Sequence, residues 1–336
     1  MLKRIIFSIT VLLALAGCHD VARYDNSNSG NFEALWSQLN DHYCFFREKG
    51  IDWNEVGDRY RARVSEKMTN REFFDLCAQM LDELKDGHTN LIAPFNVSYY
   101  RKWWSDYPQN FDERIIEQNY FNFTYSQAGG LIYGRLSENI GYVRYSSFAT
   151  PLSESALDYA LAELATCQGL VLDIRDNGGG DMTNVDILAA RFLTERTLLG
   201  YISHKSGPGP DDFSTPYAYY LNPAPEYRVR WIKPVVLLTN RSTFSAANNF
   251  VSIMKYLPNV RIAGDRTGGG SGMPFSGELP NGWGVRFSAC SVTDAQGLST
   301  ENGIEPSEGC KVDMNPEDAA KGIDTILELA ITLLRQ

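Results

Sequence analysis

A serine at the mouth of a helix, three glycines after a buried strand and a histidine in a glycine-flanked turn are this chain's best candidates for chemistry. Val235-Val-Leu-Leu-Thr239 is an apolar strand that runs into Asn240-Arg-Ser242-Thr243-Phe-Ser245 and then Ala246-Ala247. A serine so placed exposes its hydroxyl at the sheet edge, and the helix N-terminus behind it favours negative charge. This is the layout of a nucleophile elbow without the G-x-S-x-G sequence; a serine that only caps a helix has the same local pattern. Leu170-Val-Leu-Asp173-Ile-Arg175-Asp-Asn177-Gly178-Gly179-Gly180 ends a buried strand in charges and glycines. Glycines there let backbone N–H groups face a ligand as an anion nest. Neither Gly-Lys-Ser/Thr nor G-x-G-x-x-G spacing is present, which speaks against a nucleotide loop. Leu84-Lys-Asp86-Gly87-His88-Thr89-Asn90 sets a histidine in a turn, from which it can reach a cleft. With an ordinary pKa of about 6.5, it is suited to moving a proton.

Together these segments resemble the tricorn-core and C-terminal-processing (tail-specific) family of serine peptidases, from residue 31 to the end. The family's D-G-H-T falls on His88, and its D-x-R-x-N-x-G-G on residues 173–180. Its T-N-x-x-T-x-S-A-A falls on residues 239–247, with Ser245 as nucleophile. Its late acidic residue falls on Glu301, ahead of Gly303-Ile304-Glu305-Pro306. The resemblance implies a Clp-protease/crotonase-like α/β catalytic domain with a small N-terminal helical domain. It also implies Ser245 attacking a peptide carbonyl, His88 as base, Glu301 orienting the imidazole, and the N–H groups of Gly179 and Ala246 as oxyanion hole. Peptides or unfolded proteins would be the substrates, and no metal or organic cofactor is called for.

Three positions depart from the family. Asn248 stands where many members have Glu, and Gly87 where tricorn-like members have Ser before the histidine. Gly270, in Thr267-Gly-Gly-Gly270-Ser271, stands where Ser/Lys members carry the lysine of T-x-G-K-G, so His88 is the expected base and Lys255 is expected to point elsewhere. The interval between His88 and the glycine run is too short for a PDZ module. The scaffold's alternative is a non-catalytic lipoprotein that binds apolar ligands or a partner; intact Ser245 and His88 weigh against it.

Lys3 and Arg4, an apolar stretch over 5–16 and Leu15-Ala16-Gly17-Cys18 form a signal-peptide layout. It resembles the lipobox of bacterial lipoproteins, in which Cys18 would be lipidated and become the new N-terminus. The expected location is the bacterial cell envelope. His19 rather than Asp follows Cys18, which favours the outer membrane, on its periplasmic or surface side. After the signal peptide (1–17), an Asn- and Ser-rich tether is expected over 18–30, a helical domain over 31–93, an irregular connection over 94–130 and the α/β peptidase domain over 131–336. In the helical domain three helices are predicted. Asp52 is a candidate cap and Thr69-x-x-Glu72 a capping box. Strands are predicted at 131–136, 140–145, 170–174 and 235–239. The predicted helices are 152–165, 184–194, 246–257 and 316–334, the last capped by Asn315.

Composition narrows the remaining classes. Of 336 residues 43% are hydrophobic and 12% aromatic, which describes a folded chain rather than a disordered one. With 31 Lys+Arg against 41 Asp+Glu, and no basic block after the signal, the chain lacks the phosphate-binding face of a nucleic-acid binder. Beyond the signal no apolar run reaches the ~20 residues of a membrane span. Cys44, Cys77, Cys167, Cys290 and Cys310 remain after Cys18, so at least one thiol is free. Cys290 and Cys310 flank a turn-rich stretch and could pair. Four histidines and no Cys-x-x-Cys argue against structural zinc.

Overall fold

Capping chemistry sets where the helices begin. The structure, a computed structural model, describes residues 23–136 and 139–336; the signal peptide and Cys18 lie outside them. The Ser27 hydroxyl accepts the Gly30 N–H at 2.9 Å and opens the helix Asn28–His42. That helix starts inside the expected tether. Asp52 accepts the N–H groups of Asn54 and Glu55 and starts Trp53–Arg61. Thr69 and Glu72 cap each other at the head of Asn70–Asp82. A one-turn helix, Phe46–Lys49, closes on Gly50 at φ 64° and was not predicted.

The chain divides into two units. The first holds the described residues up to Tyr100 with Lys205–Phe213 and Pro274–Ala289. Its core joins Phe32, Leu35, Leu39, Phe73, Phe74 and Met80 to Trp283, Val285 and Phe287. Burying each such side chain stabilises by about 1.5–3 kcal/mol. The late residues enter because Asn90–Ala93 pairs antiparallel with the start of the strand Gly284–Asp294, Leu91 opposite Val285.

The second unit holds Arg101–His204, Ser214–Met273 and Cys290–Gln336. Its main sheet runs in the order Val260–Gly264, Val235–Thr239, Gly169–Asp173, Ile140–Tyr145, Leu131–Leu136, Ser126–Ala128. The first four are mutually parallel, and Leu131–Leu136 pairs antiparallel with both of its neighbours. Parallel strands covered on both faces read as continuous apolar runs. Accordingly Leu170, Leu172, Val235 and Leu237 pack into one core, and Val171, Val236 and Leu238 into another. Helices Glu154–Glu163, Met182–Ala189 and Ala246–Met254 cover the first face, and Thr325–Leu334 the second. Strands Thr197–His204, Tyr217–Leu221 and Val260–Gly264 were not predicted from sequence. Residues 94–130 contain short elements, among them Lys102–Ser105 and Glu113–Ile115, and bury Phe111, Ile116 and Phe121 against the sheet.

One predicted helix is two. Pro316–Ala320, capped by Asn315, stops before Gly322 at φ 75°, and Asp324 caps Thr325–Leu334. The break has an electrostatic reason. Arg175 is wholly buried, its guanidinium gripped by Asp173 on one side and by both Asp324 oxygens on the other, at 3.0 and 2.8 Å. A buried cation needs such partners, and a cap residue supplies the second. The expected option of a Cys290–Cys310 disulfide is not taken: both thiols are free. Cys290 sits opposite His204 in the strand pairing, while Cys310 packs in the core with Ile326 and Ala330.

Candidate active site

The strand Val235–Thr239 and the strand Gly169–Asp173 are neighbours, so the segments leaving their carboxyl ends meet. In parallel sheets ligands bind at that end. Ser245 stands between strand and helix at φ 58°, ψ −124°, a conformation that L side chains rarely adopt and that costs about 1–3 kcal/mol. The surrounding bonds hold it there. The Thr243 hydroxyl donates to the Ile174 carbonyl at 3.1 Å, and the Thr243 carbonyl accepts the Gly268 N–H at 2.8 Å. The Ser245 N–H itself donates to the Gly269 carbonyl at 2.9 Å. Ala246 opens the helix that follows, where the first N–H groups have no acceptor within the helix.

Gly179 packs directly on this elbow. Its φ is 94°, and a Cβ added there would lie 2.7 Å from the Phe244 carbonyl oxygen and 2.8 Å from both the Ala246 nitrogen and the Ser245 Cβ. Only glycine fits. The Gly179 N–H, expected from the sequence to serve an oxyanion, donates to Asn177 Oδ1 at 3.0 Å. An oxyanion would therefore share or displace that bond. The charged half of the motif serves the scaffold, since Asp173 and Arg175 turn into the buried ion cluster that anchors the last helix.

Glu301 lies in the same unit and is buried. Its Oε2 accepts the Ser271 N–H at 2.9 Å, and its carbonyl accepts the Gly270 N–H at 3.1 Å. Since Gly269 accepts from Ser245, three consecutive residues link the serine elbow to this carboxylate. Asn248, a departure from the family pattern, makes a second link. Its amide donates to the Thr300 carbonyl at 3.2 Å and accepts from the Thr267 hydroxyl at 2.6 Å. Sequence reading noted the position but not this bridge.

The two lysine alternatives close off. A side chain at Gly270 would meet the Phe244 ring at 2.3 Å, and that ring is stacked on Trp103 at 4.3 Å. Lys255 turns to Asp294, Nζ to Oδ2 at 2.6 Å.

His88 belongs to the first unit, where it is 3% exposed. Asp86 builds its turn: Oδ1 accepts the His88 N–H at 2.8 Å, and Oδ2 accepts the Ser288 hydroxyl at 2.8 Å. Burial drives the imidazole pKa down to about 4; Asp86 opposes this, while Arg286 and Lys49 add to it. The ring is thus neutral at pH 7 and able to accept a proton. Among the described residues no group of three His, Cys, Asp or Glu side chains could hold a metal ion.

Comparison with known proteins bears on the family and the fold. A crystal structure described as that of a peptidase from Parabacteroides merdae superposes with a TM-score of 0.88 at 50% identity, covering 93% of this chain and 98% of that one. The chloroplastic C-terminal processing peptidase of Tetradesmus obliquus is 30% identical over 193 residues, which are 56% of this chain and 38% of that protein. The carboxy-terminal processing protease CtpB of Bacillus subtilis is 25% identical over 202 residues, 54% of this chain and 39% of its own length. The match thus spans well under half of either of these two relatives. The first comparison bears out the α/β fold with its N-terminal helical region. The signature of the Tricorn protease C1 domain matches residues 24–82. With that of Peptidase family S41 matching residues 139–308, the chain belongs to peptidase family S41, a family of serine peptidases.

Proposed function

We propose that this protein is a lipid-anchored serine endopeptidase or peptide-processing enzyme of the bacterial cell envelope, acting through an acyl-enzyme on Ser245. The observation that carries the reading is the strained Ser245 elbow at a helix N-terminus, with Gly179 packed against it. A lone hydroxyl is a weak nucleophile and needs a base. His88, neutral at pH 7, takes the serine proton as Oγ attacks the scissile carbonyl, and returns it to the leaving amine. Water then attacks the acyl-enzyme with the same histidine as base. Glu301 orients the imidazole and stabilises its cation. The Ala246 and Gly179 N–H groups hold the oxyanion, where losing one donor lowers the rate by about 10²–10³. The substrate is a peptide or unfolded protein, in keeping with the processing activity for which two relatives are named.

The anchor is Cys18, in Leu15-Ala16-Gly17-Cys18. Several acyl chains on one residue hold firmly where a single chain is marginal. The anchored protein sits in the outer membrane, on its periplasmic or surface side; His19 in place of Asp at the next position, which lacks the inner-membrane retention signal of some bacteria, supports this.

A fluorophosphonate probe tests the chemistry: it should label the wild-type protein and not Ser245→Ala. Equal labelling of the two would remove Ser245 from the mechanism. Metabolic labelling with a palmitate analogue tests the anchor, and incorporation should be lost in Cys18→Ala.

A further inference from the structure

Asp176 lines two cavities of the second unit and has no ion partner in either. The first cavity, of 340 Å³, is lined by Trp104, Tyr107, Asp176, Asn240, Arg241 and Ser242 among others. The second, of 620 Å³, adds Glu113 and Arg144 beside the same Asp176. Small-molecule sites run to about 300–1,000 Å³, so either has room for a side chain of a bound peptide. Asp176 lies just ahead of Gly179 in the chain and Ser242 just ahead of Ser245. The cavities therefore adjoin the stems of the two turns that form the serine elbow.

Charge decides what would bind there. Arg241 Nε pairs with Asp265 at 3.1 Å, Arg144 Nε with Glu113 at 2.7 Å, and the exposed Arg114 with Asp112 at 2.9 Å. Among the described residues no cation pairs with Asp176. Its Oδ1 accepts the Asn240 amide at 2.8 Å, and its N–H donates to Asn240 Oδ1 at 2.9 Å; its Oδ2 accepts no bond from a described residue. The backbone stands at φ 56°, a region that Asn tolerates as well as Asp. An asparagine would thus make the same turn and the same two bonds. What the fold leaves unused is the negative charge.

The walls suit a cation. Trp104 is 37% exposed and Tyr107 42%, and aromatic faces attract ammonium and guanidinium groups. The Arg241 guanidinium already lies 3.8 Å from the Tyr107 ring centroid while Asp265 holds it. An anion would have to settle beside Asp176 and compete with Asp265 for Arg241.

We propose that Asp176, with Trp104 of the same cavity, forms a binding site for a basic side chain, lysine or arginine, of the peptide substrate. The cation donates to Asp176 Oδ2, and its alkyl stem packs against the indole. The proposal rests on the reading of the chain as a peptidase.

The test uses the full-length protein in detergent, carrying Ser245→Ala so that nothing is cleaved. The probes are labelled Ala/Gly octapeptides with a single Lys, Arg, norleucine or Glu at each position in turn, and binding is read by fluorescence anisotropy. At one position Lys and Arg should bind about tenfold or more tighter than norleucine, the worth of a charge-assisted hydrogen bond. Adding Asp176→Asn should abolish that difference without moving the unfolding midpoint. Trp104→Ala should cost about two- to fivefold in the affinity for the basic probes. No preference for Lys or Arg at any position overturns the proposal. So does a preference that Asp176→Asn leaves intact, or a preference for Glu, which would make Arg241 the binding group. The same probes are then given to the enzyme with Ser245 intact. Selective binding of Lys and Arg with no probe cleaved, and no fluorophosphonate label on Ser245, would support the site and count against the peptidase reading. Cleavage with no basic preference would overturn the site and leave that reading standing.

Discussion

The Phe244 N–H donates to the Asn177 carbonyl at 3.0 Å, so the turn that presents Ser245 is bonded directly to the turn that carries the glycines. The Asn177 side chain continues the link, donating to the Tyr145 carbonyl at 2.8 Å and accepting the Gly179 N–H at 3.0 Å. Three successive parallel strands are thereby tied at their carboxyl ends. A strained residue such as Ser245 persists only where its surroundings over-determine it, and these bonds do so.

Gly179→Val should act on the transition state. The new side chain would press on the Phe244 carbonyl, the Ala246 nitrogen and Ser245 at once. Ground-state contacts elsewhere on the substrate would survive, so kcat should fall about 10²-fold or more with KM little changed. Steady-state kinetics decide; a raised KM with intact kcat would refute the assigned oxyanion hole.

The pH profile should report His88. A neutral imidazole is required, and burial holds its pKa at about 4 instead of the ordinary 6.5. Activity should therefore stay level through pH 6.5 and fall as pH drops through about 4. Stability follows the same sign. The unfolded chain takes up the proton first, so the benefit of neutral His88 is complete above pH 6.5 and lost as pH falls through about 4. The total is roughly 3 kcal/mol. Rate profiles and denaturant midpoints against pH measure both, and an acid limb at 6.5 would contradict the buried environment. His88→Ala should reduce turnover about as much as Ser245→Ala, since residues acting as a unit fail together.

Restoring the family lysine should harm rather than help. At Gly270, with φ 78° and the Phe244 ring in the way, lysine would be overpacked and strained. Gly270→Lys should destabilise by about 1–3 kcal/mol or more and lower activity. Lys255→Met should keep most activity, because Lys255 serves Asp294. Loss of activity in Lys255→Met with an unchanged melting curve would reopen the search for the base.

Asp324→Ala separates scaffold from chemistry. It would leave Arg175 with half of its counter-charge and remove the cap of the last helix. A loss of about 3–5 kcal/mol is expected for a broken buried pair. Turnover per site, with sites counted by fluorophosphonate labelling, should be largely kept. A fall in turnover per labelled site would give the Asp–Arg cluster a part in catalysis.

Local chemistry was legible without the fold. The Thr69–Glu72 box, the Asp52 cap and the apolar runs at Leu131–Leu136, Ile140–Tyr145 and Val235–Thr239 depend on near neighbours in the chain, and their elements stand as read; Asn315 caps where expected, though its helix is shorter than read. The serine between strand and helix was legible for the same reason. Tertiary structure decided everything that depends on distant residues. The pairing of Asn90–Ala93 with residues 284–286 brings late residues into the N-terminal helical core, and no local pattern announces it. The last helix breaks because Arg175, far back in the sequence, demands the Asp324 carboxylate. Motif position alone gave Asp173 and Asn248 no role; their partners gave one the ion cluster and the other the bridge to the Glu301 loop. A residue type carries its chemistry in the sequence, but the burial and the partners that direct that chemistry exist only once the chain has folded.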